Sequence, residues 1–481
     1  MISSDRISEK CGIVGVFTDS NDSARVAYYS LWALQHRGQE SSGIVSATKT
    51  KLHIHKGQGL VANVYNEKSL SQLKGGIAIG HNRYSTSGGI SEHHAQPVCY
   101  ADNTIALAHN GNIPIIQPLK KILDDAGMST YKLNDSELLH KAIRYNYLKL
   151  KSFEAGITKT LSNIPGVYSL VMLTKNQLAA ARDPFGIRPL SLGKLADGWI
   201  IASETCVFDT IGAKFIRDIN PGELLIIDKS GLRSIQFHPN PSQKIDIFEF
   251  VYFSRPDSML LGKSVYEARK QMGYQLAIEN PDIKADLVIP IPDSAIPATI
   301  GFSHESKIPF EMGIVKNRYI HRTFIKPAAK QRGNDVQMKL NPITEIIRNK
   351  HIVIVDDSIV RGTTSKKIVN LLRSYGARKI TMIVSSPPVT YPDFYGIDTP
   401  EQKELIAFKR SIKEICNIIQ ADDLRFLSYE GLLKAIDLPE NLLCTSCFTG
   451  EYPVKVAKNV IDVIDKSKNI SNSNGYQYKL I

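Results

Sequence analysis

Short apolar runs broken by turns fill the first half of the chain. GIVGVF, GIVSA, GIAIGHNRYST, TIALAHNGN, GVYSLVMLT, LAAARDPFG, GWIIASE and GELLIID follow one another between Cys11 and about residue 236. Runs of this length between Gly, Asn and Asp predict strands, and helical periodicity is confined to stretches such as DSELLHKAIRYNYLKL. The pattern predicts an α+β sandwich over residues 11–237. HPNPSQ, residues 238–243, is dense in Pro and polar residues and reads as a linker. Beyond it ADLVIPIP, HIVIVDD and KITMIVSS alternate with helical segments such as SKKIVNLLRSYGA, which predicts an α/β domain with a parallel sheet and C-terminal helices over residues 244–455. Residues 456–481 read as a C-terminal helix ending in a polar, fraying tail, and no internal repeat is evident.

Composition narrows this picture without redirecting it. A chain of 481 residues exceeds one ordinary core, in keeping with two domains. No apolar run reaches the roughly 18 to 20 residues that span a bilayer. The leader MISSDRISEK has no apolar segment of a secretory signal, so a cytoplasmic protein is expected, with no membrane partner. Six cysteines are too sparse for a disulfide framework. The formal charge of +12 fits nucleic acid, a small anionic substrate, or simply a Lys-, Asn- and Ile-rich usage. Nucleic acid is disfavoured because no stacking-platform motif accompanies the basic residues.

The sharpest chemistry lies in HIVIVDDSIVRGTTSKKIVNLLRSYGA. A buried-strand run ends at Asp356 and Asp357, where a parallel strand presents its C-terminal end to a crevice. Ser358, Arg361, Gly362, Thr363 and Thr364 follow and open a helix, so backbone N–H groups, hydroxyls and the helix N-terminus can hold a phosphate. Paired carboxylates beside a phosphate can accept from sugar hydroxyls or gather Mg2+. There is no GxxxxGK[ST], which disfavours a P-loop NTPase. The run resembles the phosphoribosyl pyrophosphate (PRPP) motif of type I phosphoribosyltransferases, which implies that the acids meet the ribose hydroxyls and the loop cradles the 5-phosphate. ADLVIPIPDSAIPATIGF places Asp293 and Ser294 at another strand end, suited to pyrophosphate or its metal, and the implied Mg2+ ligands are Ser294, Asp356 and Asp357. Residues 316–339 carry seven Lys and Arg against Asp335 alone and read as a basic lid.

Cys11 opens the first strand without a His beside it in sequence. Were the leader cut between Lys10 and Cys11, the new α-amine, with a pKa near 7.7 to 8.0, would stand within reach of its own thiol as a base. CGIVGVF, LQHRGQESSGI, GHNRYST, LAHNGNI and NDSELL, in that order and spacing, resemble the N-terminal-nucleophile glutamine amidotransferases. That resemblance implies an αββα sandwich with residues 1–10 as a propeptide. It further implies Cys11 as nucleophile, Asn110 and Gly111 as oxyanion hole, and Arg37, Arg83 and Asp135 as holders of glutamine. Cys99 and Cys206 read as packing residues.

From Cys11 to about residue 455 the chain resembles the glutamine phosphoribosylpyrophosphate amidotransferase family. The resemblance implies a pentosyltransferase that makes 5-phosphoribosylamine, glutamate and pyrophosphate from PRPP, glutamine and water, at the opening of de novo purine synthesis. It also implies inhibition by purine nucleotides and a homo-oligomer, dimer or tetramer. In FVYFSRPDS it implies that Tyr252 and Arg255 couple the two sites. Two departures stand out. Many relatives carry four cysteines for a [4Fe-4S] cluster, whereas here the four positions are Asp246, Asp393, Cys444 and Cys447. A remnant pair, a cluster with Asp ligation and a zinc site are open in that order. Gln337 in the lid stands where relatives tend to have Arg. Rival readings are a class II amidotransferase with another acceptor and a catalytically silent PRPP-binding regulator.

Overall fold

The computed structural model describes residues 11–83, 95–100, 102–317, 339–396, 401–456 and 464. The leader, the part of the basic segment holding Gln337, and the tail lie outside the described residues.

The first half is two antiparallel sheets face to face. One has seven strands in the order Lys214–Asp218, Ser191–Leu195, Gly198–Ala202, Gly12–Thr18, Ile77–Arg83, Ser41–Ala47 and Leu52–Gln58. The other has six, in the order Gly231–Gln236, Glu223–Asp228, Leu178–Arg182, Val167–Leu173, Ala106–Asn112 and Val98–Cys99. Because side chains alternate along a strand, adjacent apolar residues serve two layers. Ile13, Val45, Ile79 and Ile201 point between the sheets, against Ala106, Val171, Leu178 and Leu225. Their neighbours Val14, Ile44, Ala78 and Ile200 point outward, onto Ala27 and Leu31 of the helix Ser23–Ala33. The second sheet turns Leu107, Leu170, Met172 and Ile226 onto the helices Asp135–Leu150 and Phe153–Leu161. The result is the expected αββα stack, and double-sided burial explains why its strands read as continuous apolar runs.

The second half centres on four parallel strands in the order Leu287–Pro290, His351–Asp356, Lys379–Val384 and Asp423–Phe426. Val288, Val353 and Val355 pack on one face with Met272 and Leu276 of the helix Val265–Glu279. Ile289, Ile352 and Ile354 pack on the other with Ile368 and Leu372 of the helix Thr363–Ser374. The basic segment leaves and returns on a short antiparallel ladder, Ile314–Lys316 with Leu340–Pro342, which holds its two ends together. The linker does not swing away from the first half: Ser242 N donates to Pro184 O at 2.9 Å, and Gln243 Nε2 to Gly186 O at 3.1 Å. No described helix is long and apolar enough to cross a membrane.

His140 lies buried under the second sheet, with Nε2 at 3.1 Å from Ile105 O, and burial pushes its pKa down to about 4 from 6.5. A depressed folded-state pKa means that the unfolded chain takes up the proton first, so stability held above pH 6.5 is lost as pH falls toward 4. We expect this residue to account for about 3 kcal/mol of acid destabilisation across that window. His140→Gln should flatten the dependence of chemical-denaturation midpoints on pH between 6.5 and 4.

Candidate active sites

Two ladders place Cys11 and the residues expected around it. Gly12 pairs with Asn82 on the neighbouring strand, so Cys11 and Arg83 stand at the same end of the seven-stranded sheet. Ser203 Oγ accepts from Ile13 N at 3.0 Å and pins the strand from its other edge. Cys11 is buried, belongs to no disulfide, and has a φ of +147°. On the facing sheet Asn110 and Gly111 end the strand Ala106–Asn112. His81 joins the two ends: it is buried against the His109 backbone, and burial drives its pKa down to about 3, leaving a neutral ring.

Asn110 has the clearest mark of a binding group. Its amide is buried, yet neither Nδ2 nor Oδ1 has a hydrogen-bond partner among the described residues. Leaving such groups unpaired costs on the order of 1–3 kcal/mol each, which points to capacity kept for a ligand. Gly111 has a φ of +145°, and a Cβ there would lie 2.1 Å from Val167 O, so no larger residue fits. Asp135 is the first residue of a helix fixed by a capping box: Asn134 Oδ1 accepts from Glu137 N and Glu137 Oε2 from Asn134 N, both at 2.9 Å. Its Oδ2 accepts from Ile113 N at 3.3 Å, just past the Asn110–Gly111 turn, and it is about a quarter exposed.

Arg37 is the other arginine expected to hold glutamine. Its guanidinium is fully buried and engaged by two carboxylates: Nε donates to Glu204 Oε1, and Nη2 to Glu249 Oε2 at 2.6 Å. Burial alone would raise the Glu204 pKa, but Arg37 and then His36 outweigh it and hold that carboxyl well below its usual range. Arg37 is thereby a residue of the seam between the halves. Of the two expected coupling residues, Arg255 crosses the seam, its Nη1 donating to Ala33 O at 3.2 Å. Tyr252 packs against the second-half core, its ring 5.8 Å from that of Phe253. Cys206 is buried as a packing thiol, whereas Cys99 is only partly so.

In the second half Asp356 ends its strand, and Asp357 N donates to Asp356 Oδ1 at 3.0 Å. Asp357 accepts from Ser294 Oγ through Oδ2, and from Ser358 Oγ at 2.7 Å through Oδ1. Ser294 thus reaches the acid pair, while Asp293 pairs with Lys316 at 2.7 Å. Gly362, at φ +78°, caps the helix Thr363–Ser374, whose first amides face the loop. Arg361 pairs with Glu404 at 3.2 Å, and Ile406 N donates to Val360 O at 2.7 Å, so the loop is braced from the segment after residue 401.

Asp246, Asp393, Cys444 and Cys447 are brought together in one buried locus, where Asp246 pairs with Cys444 across a two-residue parallel ladder. Their donor set does not suit a cluster of thiolates. Asp246 Oδ1 accepts from Phe248 N at 2.9 Å and Oδ2 lies 3.3 Å from Arg188, while Asp393 Oδ1 accepts from Tyr395 N at 2.7 Å. Burial pushes Asp246 up to about 8 despite Arg188, and the Cys444 thiol up to about 12. No group of three or more His, Cys, Asp or Glu that could hold a metal ion occurs among the described residues.

Residues 81–210 match the glutamine amidotransferase domain family and residues 274–404 the phosphoribosyl transferase domain family, which defines the class: an ammonia-releasing domain fused to a PRPP-type domain. Amidophosphoribosyltransferase of Bacillus subtilis is 43% identical, covering 95% of this chain and 96% of its own, and that of Synechocystis is 43% identical over 96% and 94%. A solved structure of the B. subtilis glutamine PRPP amidotransferase, complexed with ADP and GMP, superposes with a TM-score of 0.86 at 42% identity, covering 93% of this chain and 98% of that one. A second, described as the allosteric regulatory enzyme of purine biosynthesis, gives 0.87 at 43% identity, over 94% and 97%. This chain belongs to the amidophosphoribosyltransferases, the PRPP amidotransferases of purine biosynthesis.

Sequence reasoning missed Glu204, Glu249, Arg188 and Arg269, all buried and all charged. A signal was present at Glu249, a lone carboxylate inside the apolar run IFEFVYF.

The φ at Gly362 is a conformation that costs a non-glycine residue about 1–2 kcal/mol, and a Cβ would lie 2.3 Å from Ile406 Cδ1. Gly362→Ala is expected to raise the KM for PRPP by roughly tenfold. Glutamine hydrolysis assayed on the same preparation should persist.

Proposed function

We propose that residues 11–237 release ammonia from glutamine at Cys11 and that residues 244–455 deliver it to C1 of PRPP. The buried, unpartnered amide of Asn110 beside Gly111 carries this reading. It is a donor suited to a carbonyl oxygen that becomes negative, at the same end of the sandwich as the thiol.

Removal of residues 1–10 frees the α-amine of Cys11 and abolishes the unfavourable φ of +147° that the Lys10–Cys11 bond defines. The amine takes the thiol proton as Sγ attacks the carboxamide carbon, and Asn110 Nδ2 and the Gly111 N–H receive the oxyanion. The amine then protonates the departing ammonia. Water, attacking the thioester, releases glutamate. Arg83 holds the substrate carboxylate and Asp135 its α-ammonium. Ammonia passes between the halves, kept from water, beside the segment that carries Phe250, Val251 and Phe253, with Tyr252 and Arg255 bordering its path.

At the second site Thr363, Thr364 and the helix amides hold the 5-phosphate and Asp356 and Asp357 the ribose hydroxyls, which aligns C1 for attack and the pyrophosphate for departure. Mg2+, when bound, neutralises pyrophosphate charge, and Asp356, Asp357 and Ser294 are the residues that would hold it. The Asp246, Asp393, Cys444 and Cys447 locus is a remnant and holds no [4Fe-4S] cluster. Purine nucleotides act as inhibitors, a reading supported by the relative that is complexed with ADP and GMP. The protein works in the cytoplasm as a homo-oligomer.

Cys11→Ala should lower glutamine-dependent phosphoribosylamine synthesis by more than about 10³-fold while leaving synthesis from ammonium salts intact. Loss of both activities would contradict the division of labour. Purified enzyme should be colourless and free of stoichiometric iron by elemental analysis.

A further inference from the structure

Four charged side chains, Arg37, Arg188, Glu204 and Glu249, are fully buried where the two halves meet. Taking ions out of water costs several kcal/mol each unless the partners are well placed, so the arrangement demands an account. Glu249 is its centre. Arg37 donates to Glu249 Oε2 at 2.6 Å and Arg188 to Oε1 at 3.3 Å, while Ser254 Oγ donates to Oε2 at 2.6 Å.

Each arginine leads to a different side of the glutaminase centre. Arg37 stands on the turn against the residue after the nucleophile: a Cβ on Gly12 would lie 3.5 Å from Arg37 Cβ. Arg188 donates through Nε to Tyr395 O at 3.3 Å. The adjoining Gly396 is packed so tightly on the oxyanion turn that a Cβ there would lie 3.2 Å from Gly111 Cα. Asn112 Nδ2, one residue beyond, donates to Phe394 O at 2.8 Å.

Glu249 is also tied to the PRPP side. The turn Glu249–Phe253 and the residue after it are held by Arg269, whose Nε and Nη2 donate to Phe250 O and Ser254 O at 2.7 and 2.8 Å. Arg269 is buried on the helix Val265–Glu279.

We propose that Glu249 is a positioning residue that sets the nucleophile strand and the Asn110–Gly111 end of the facing strand in mutual register. The inference rests on the reading of the two sites given above. A merely structural role would lower every activity together, whereas this one separates them.

The test is Glu249→Gln in the full-length, mature enzyme. Glutamine-dependent synthesis is expected to fall by roughly 10²-fold, chiefly in kcat, with ammonia-dependent synthesis preserved. Equal loss of the two syntheses, or an unchanged ratio between them, overturns the proposal. Should this variant not yield soluble protein, Glu249→Asp, which keeps the charge on a shorter arm, is read by the same ratio. A ratio equal to that of the parent enzyme overturns the proposal, and a lowered one supports it. If the parent enzyme itself consumes no ammonia with PRPP, it is the underlying reading that fails, not the role of Glu249.

Discussion

The position of Cys11 is fixed by the strand that follows it. Gly12–Thr18 is hydrogen-bonded along both edges, to Ile77–Arg83 and to Gly198–Ala202, in the interior of a seven-stranded sheet. A thiol at the head of such a strand has no freedom to travel, so every other participant must be brought to it. In the proposed reaction the facing sheet supplies Asn110 and Gly111, a capped helix supplies Asp135, and a base carried on the same residue needs no further placement. Rigid sheets do this better than loops because each ladder bond restricts the next.

The seam between the halves obeys a second balance. Across it Val167 and Ile187 pack with Tyr395, Cys444 and Val454, and burial of such aliphatic side chains contributes about 1.5–3 kcal/mol each. Buried ion pairs roughly break even against their desolvation. Apolar contact therefore holds the halves together, and the directional bonds of Glu204 and Glu249 decide how they sit. At Asp246 and Asp393, carboxylates share a buried locus with Cys444 and Cys447, and Arg188 compensates Asp246. There the neighbouring segments are joined by the Ile245–Asp246 ladder with Leu443–Cys444 and by protein hydrogen bonds.

Much of this was legible in the chain. Both sheet architectures followed from strand periodicity, because side chains that alternate between two apolar layers leave runs such as GIVGVF, and parallel strands covered on both faces leave runs such as HIVIVDD. The acid pair and its loop were legible because a strand end, a glycine and a helix start must be contiguous in sequence to hold a phosphate. The protein partners of Arg37 were not legible, for the opposite reason. A guanidinium fork suits a substrate carboxylate and a protein carboxylate equally, and its partners lie 167 and 212 residues away, where no local pattern reaches. Glu204 and Glu249 were overlooked on the same ground, since a buried acid is recognisable only once its cation is placed.

The central claim is that the amine of Cys11 is free in the working enzyme, and intact-mass analysis with N-terminal sequencing of fully active protein tests it most directly. The account predicts a chain that begins at Cys11. Undiminished glutamine-dependent activity in molecules that still carry residues 1–10 would contradict it.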